Sequence, residues 1–262
     1  MTIENDNSTF VTYNWENGTQ HDGRDSNYPC YLTTVAARVD DGIVTKAPGN
    51  VTMFAGGTHF IYAYAGKCKI QLPGLRESEP ERIYVLQPGM YACVPGAVEV
   101  ETIGLAAVMS RVNYHGYFLL GGPVEWKGRM RYIDGCTDSL LIPPVMMGDP
   151  CLNLLWFPSG IDQTLHTHPS TRIGVVLSGR GKCRLPEGEI ELHPGVLFNI
   201  RPDGVHAFST PYGEEMRVLA FHPDSDFGPT HEQHPMLNRT IIDGVSAAAP
   251  ERAQYRTKDG VA

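Results

Sequence analysis

The chain has no run approaching ~18 uninterrupted apolar residues, so no membrane-spanning helix is expected. It has no cluster of basic residues either. Its 21 lysines and arginines are scattered among 29 acidic residues, the net charge is -8, and nucleic acid is not an expected partner. No helix-turn-helix pattern is present to support a transcription factor. The six cysteines, at positions 30, 68, 93, 136, 151 and 183, form no Cys-x-x-Cys pair. They read as reduced, buried thiols, not as a disulfide frame or a zinc clip. The first seven residues contain neither a basic region nor an apolar core, so a secretory signal is not expected. Together these absences imply a cytoplasmic protein, in which the sequons at Asn7, Asn17, Asn50 and Asn238 have no consequence.

What is present points to β-structure. Hydrophobic residues make up 42% of the 262 positions, enough for a substantial core, and 28 glycines and 20 prolines punctuate many short segments. Runs rich in Val, Ile, Tyr and Phe predict strands at 31–39, 51–54, 60–64, 68–72, 83–86, 91–94 and 106–112. A second strand-rich block runs from about 140 to 221. The expected organisation is an N-terminal arm (1–28), a first barrel (29–115), a connector (116–136), a second barrel (137–226) and a polar tail (227–262), with a short helix near Ala247–Ala249.

The two blocks are related by an internal repeat. Phe60-Ile-Tyr-Ala-Tyr-Ala-Gly66 parallels Ile173-Gly-Val-Val-Leu-Ser-Gly179, and Leu86-Gln-Pro-Gly89 parallels Leu192-His-Pro-Gly195. Two copies of one strand-and-turn pattern predict two similar β-barrels.

Chemistry concentrates in the second copy. His166 and His168 alternate, so on a strand they would point the same way, and His206 follows a Pro-Asp-Gly turn. Three neutral imidazoles on one face suit a divalent transition metal: Fe(II), Mn, Co, Ni, Cu or Zn. Where a carboxylate would complete the set, the chain carries Arg172. In the first copy the repeat puts Met53 and Ala55 at the histidine positions and Val100 near that of His206, leaving His59 alone, read as a core or surface histidine and not as a ligand. One metal site per chain is therefore expected.

This layout resembles the cupin superfamily. Its first motif is a glycine, five residues, His-x-His, three or four residues, Glu, six residues and a glycine. Gly160, His166, His168 and Gly179 fall in register, with Arg172 at the Glu position. Gly195, Pro202, Gly204 and His206 follow the second motif. With the repeat, the resemblance extends to bicupins over roughly residues 30–226. It implies an all-β fold of two tandem jelly-roll barrels and, in common with many bicupins, a homodimer.

Three-histidine iron sites in such cupins belong to dioxygenases, so the resemblance implies an Fe(II) dioxygenase acting on a small anionic metabolite. Arg172 would anchor the anion as a fork onto a carboxylate; it cannot act as a base near neutral pH. Phe208, Asn199 and Arg217 are further candidates to contact substrate, and Gln163 and His222 are possible extra ligands. Two alternatives stand beside this reading. One is a redox-neutral metalloenzyme (isomerase, lyase, cyclase or a hydrolase like ureidoglycine aminohydrolase), although that family differs at three of its four ligand types. The other is a non-catalytic small-molecule-binding bicupin. His193 is expected at the surface, His231 and His234 in a loop, and Trp156 and Phe157 in the core.

Overall fold

The computed structural model describes residues 3–6, 9–40, 43–44, 47–230 and 233–255. The chain divides into two compact units: Met1–Pro143 with Pro150–Asp224, and Pro144–Asp149 with Ser225–Ala262. Among the described residues the only helical turns are 3-10, at Ile133–Gly135, Pro235–Arg239 and Pro250–Tyr255. Everything else that is regular is β.

The first unit holds both barrels, each made of a large sheet and a small one. In the first barrel the six-stranded sheet runs Leu119–Gly121, Tyr91–Pro95, Gly57–Ala65, Leu105–Val112, Cys30–Ala36, Gln20–Asp22. The second barrel's sheet repeats this order as Leu197–Ile200, Arg172–Gly179, Met216–His222, Cys151–Phe157, Thr137–Ile142, then adds Met130–Arg131 at one edge. At its other edge it takes up the N-terminal arm: Phe10–Tyr13 pairs antiparallel with Leu197–Ile200, Phe10 opposite Ile200. The arm is thus part of a sheet, and the connector contributes two edge strands.

Alternation of side chains across these strands creates three apolar layers. Val35, Ile61, Ala63, Val94, Val98, Val100 and Val108 fill the first barrel. Phe10, Phe157, Val176, Phe198, Ile200, Phe208 and Val218 fill the second. The opposite faces of the two large sheets meet in a third layer of Phe60, Tyr62, Met109, Leu152, Leu154, Leu219 and Phe221. There Phe60 and Phe221 lie with ring centroids 5.0 Å apart, both at most 1% exposed. Burying each such ring contributes about 2–3 kcal/mol. All six cysteines are free and buried, and burial pushes the thiols of Cys30, Cys68, Cys93 and Cys151 up to about 12.

Four details differ from the sequence expectation. Val98–Thr102 is a strand that the expected runs omit, although its burial alternates along its length. Trp156 is not core: its indole donates to Glu215 at 3.1 Å, and the Lys127 ammonium lies 4.3 Å from the ring centroid. In the second unit, Ala247–Ala249 forms a turn and the helical residues come after it, at Pro250–Tyr255, where proline suits a first helical position. That unit also contains the hairpin Ile241–Ile242 with Val245–Ser246.

The fourth difference shapes the site. In the first barrel, Gly49–Met53 pairs along its whole length with Val98–Thr102. The equivalent segment of the second barrel, which carries the His-x-His pair, is not a strand. It is reduced to two isolated bridges, Asp162 to Ser209 and His166 to His206. Pro169 has no N–H to extend the ladder, and the N–H of Thr164 is taken by the Asp134 carboxylate at 2.8 Å. The metal motif therefore lies where a barrel strand opens into a loop.

Candidate metal centre

The bridge between the two motifs sets the histidines. His166 N–H donates to His206 O at 2.9 Å, and His206 N–H donates back to His166 O at 3.0 Å. The Pro202-Asp203-Gly204 turn is closed by Gly204 N–H on Arg201 O at 3.0 Å, while Asp203 N–H donates to His168 O at 2.7 Å. Asp203 takes φ 58°, a left-handed value that aspartate tolerates better than most residues. These backbone bonds tie His166, His168 and His206 to one another before any side chain is considered.

The rings converge accordingly. Centroid separations are 4.5 Å for His166 and His206, 5.1 Å for His166 and His168, and 5.2 Å for His168 and His206. One ring nitrogen from each lies within 4.8 Å of the other two. His166 Nδ1 bonds Thr164 O at 2.7 Å, and His206 Nδ1 bonds Gly204 O at 2.8 Å. A carbonyl accepts only, so each Nδ1 carries the proton and each Nε2 lone pair is left for a ligand. Burial, then the nearby Arg172 cation, brings His168 down to about 3. Burial is also the main cause that brings His206 down to about 4. Neutral rings with directed lone pairs are what a divalent transition metal requires, and this trio fits one.

The trio faces a cavity inside the second barrel, also lined by Tyr132, Gln163, Arg172, Phe198, Phe208 and His222. The space in it open to a water-sized body is about 30 Å³. Arg172 is held hard on one side. Its Nη1 donates to Thr171 O at 2.9 Å, Ser170 O at 3.2 Å, Asp224 Oδ1 at 3.2 Å and the Ser170 hydroxyl. Ser170 in turn donates to Asp224 Oδ1. The Arg172 Nε is buried without a partner. Asp224, Ser170 and Tyr132 are the residues that sequence reading did not find.

The other candidates divide cleanly. Phe208 lines the cavity, its ring centroid 5.7 Å from that of His206. Gln163 reaches the cavity wall but both ends of its amide are used: Oε1 accepts from Phe208 N–H at 3.2 Å and Nε2 donates to Cys136 Sγ at 3.4 Å. His222 lines the cavity but stands outside the trio, its ring 6.4 Å from that of His168. Asn199 and Arg217 do not line the cavity, against expectation. Each alternates with residues that do: Phe198 and Ile200 flank the first, and Val218 follows the second. Asn199 instead accepts from Thr171 Oγ1 and donates to Gly23 O at 3.2 Å. Arg217 donates to Glu125 O at 2.6 Å beneath the Trp126 ring, clamping the connector.

Of the remaining histidines, His59 is a satisfied core residue bonded to Ser110 Oγ at 2.8 Å and Phe54 O at 2.9 Å. His193 is exposed. His234 caps a 3-10 turn, accepting from Met236 N–H at 3.2 Å. His231 lies outside the described residues.

Residues 156–222 match the family model of the cupin domain. No curated protein sequence matches the chain. Among solved structures, it is similar to a putative glyoxylate induced protein from Pseudomonas aeruginosa, with 15% identity, a TM-score of 0.58, and 86% of this chain and 92% of that one covered. It is also similar to the protein Ylba from E. coli, at 15% identity and TM-score 0.53 over 85% of this chain and 95% of that one. A salicylate 1,2-dioxygenase from Pseudaminobacter salicylatoxidans aligns at 8% identity and TM-score 0.50, covering 74% and 70%. At such identities the likeness is one of fold. The matched domain carries both motifs and the two large sheets share one strand order, so residues 156–222 form a cupin domain in a chain of two similarly built β-barrels.

Proposed function

We propose that the second barrel is the catalytic centre of a metal-dependent enzyme acting on a small anionic metabolite, and that the enzyme is an Fe(II) dioxygenase. The observation that carries this reading is the pair of backbone carbonyls that hold Nδ1–H of His166 and His206, leaving both Nε2 atoms free to converge with a ring nitrogen of His168. A redox-active divalent metal bound there would relay electrons from an organic substrate to dioxygen.

The protein's own residues do the rest. Arg172 supplies a fixed cation, and because Asp224, Ser170 and Thr171 occupy its Nη1, the edge left for an anion is the one carrying Nε. That edge forks onto a carboxylate. Phe198, Phe208, Ile173 and Val218 add an apolar stretch of wall beside the polar Tyr132, Gln163 and His222. The cavity's open space of about 30 Å³ is far below the ~150 Å³ of a cavity that holds benzene, which favours an acid of few heavy atoms over an aromatic one.

The test is oxygen uptake by anaerobically iron-loaded protein with short 2-substituted carboxylic acids and thiols. His166→Ala is expected to lose metal and activity together. Arg172→Ala is expected to keep the metal and weaken the acid. Loss of metal in Arg172→Ala, or no uptake with any chelating acid, contradicts the reading. Turnover of such an acid without oxygen, supported equally by zinc, would instead establish the redox-neutral class, in which the metal acts as a Lewis acid.

A further inference from the structure

The cavity contains a fourth imidazole that neither the trio nor the anion anchor uses. His222 ends the strand Met216–His222, and the pairing of Ile173 with Phe221 sets it across from Arg172 on the cavity side of the sheet. Its ring is 6.4 Å from that of His168, too far for its nitrogens to join the three that converge. On its other side it meets Asn153, a residue only 2% exposed. The Asn153 amide nitrogen is 3.5 Å from His222 Nδ1 and 3.6 Å from Cys151 Sγ. In this orientation of the amide the nitrogen donates to His222 Nδ1, which leaves Asn153 Oδ1 buried without a partner and places the ring proton of the neutral imidazole on Nε2.

We propose that His222 is a hydrogen-bond donor to the bound anion, with its tautomer fixed by Asn153, and that it acts beside Arg172 as the second donor of one wall. The inference rests on the proposed reading of the cavity as an anion site. Arg172 takes a carboxylate, and Nε2–H of His222 takes the second oxygen or sulfur of the same ligand. The ligand class is therefore a short acid with a donor atom next to the carboxylate, bound between this wall and the three histidines. Asn153 touches no ligand and is a positioning residue.

Two measurements test this without turnover. The first is titration of cobalt-loaded protein with mercaptoacetate, followed by thiolate-to-cobalt absorption. His222→Phe is expected to keep one cobalt per chain and weaken mercaptoacetate about ten- to hundredfold, the span of one hydrogen bond to a charged acceptor. His222→Gln, which retains an N–H, is expected to recover part of the loss. The second is long-range nitrogen–proton NMR of zinc-loaded protein labelled in histidine. His222 is expected as the Nε2–H tautomer, and as a tautomer mixture in Asn153→Ala. Unchanged mercaptoacetate affinity in His222→Phe, loss of cobalt in that variant, or an Nδ1–H tautomer in the wild type would each overturn the inference while leaving the proposed function standing. Cobalt-loaded wild type that binds neither mercaptoacetate nor any other short 2-substituted acid would overturn both.

Discussion

Replacing Asp224 by alanine removes the only carboxylate bonded to Arg172 among the described residues, deep in the second barrel. The two side chains are 12% and 13% exposed and 3.2 Å apart. At that separation and an effective dielectric of about 20, their attraction is about 5 kcal/mol, offset in part by the cost of taking both charges out of water. Breaking such a pair from one side costs about 3–5 kcal/mol, because the remaining charge stays buried and uncompensated. The residual exposure and the Thr171 and Ser170 carbonyls that still accept from Nη1 put the expected loss near the lower end, about 3 kcal/mol. With a urea slope of about 3 kcal/mol/M, the midpoint of metal-free protein should fall by about 1 M. Adding Arg172→Met to the same chain should recover most of that loss, since the apolar replacement leaves no orphan charge. A midpoint for Asp224→Ala within 0.2 M of wild type, an effect below about 0.6 kcal/mol at that slope, would refute the placement of Arg172 and with it the anion anchor.

Other outcomes follow from the same structure. His168 and His206 are held at about 3 and about 4, below the ~6.5 of an unfolded histidine. Stability of metal-free protein should therefore be fully present above about pH 6.5 and be lost as pH falls toward 4, because the unfolded chain takes up those protons first. Melting curves of chelated protein from pH 7.5 to 4.5 check this; a flat profile contradicts it. His21 is buried between the large sheets with both ring nitrogens unpartnered, its ring stacked 4.0 Å from Tyr13. His21→Phe should stabilise by about 1 kcal/mol, since an unsatisfied buried polar group costs about 1–3 kcal/mol; a lower urea midpoint would contradict it. Gly179 has φ +77° and a methyl group there would strike the Glu215 carbonyl oxygen. Gly179→Ala should cost more than about 2 kcal/mol and reduce soluble yield, and wild-type stability would contradict it.

The sequence made the barrels and the trio legible for a physical reason. Gly160, Gly195 and Gly204 mark turns and Gly179 ends a strand, and Gly160, Gly179 and Gly195 have positive φ, so their spacing fixes where the strands end and where His166, His168 and His206 emerge. Faces were harder to assign. Asn199 and Arg217 looked like pocket residues because they are polar residues on the right strands. Their apolar neighbours Phe198, Ile200 and Val218 carry the inward phase, and strict alternation then turns Asn199 and Arg217 outward. The local run of residues also concealed that the His-x-His segment is a loop, since its bridges depend on His206 some forty positions away. Asp224 and Tyr132 reach the site through tertiary contacts that no local pattern announces, whereas Ser170 is a local partner two residues before Arg172.

The central claim is that three imidazoles of the second barrel hold one metal ion. Elemental analysis of protein purified without oxygen or chelators, beside His206→Ala, tests it most directly. About one iron per chain is expected in the wild type and none in the variant. No transition metal in the wild type, even after reconstitution, or metal retained in His206→Ala, would contradict it.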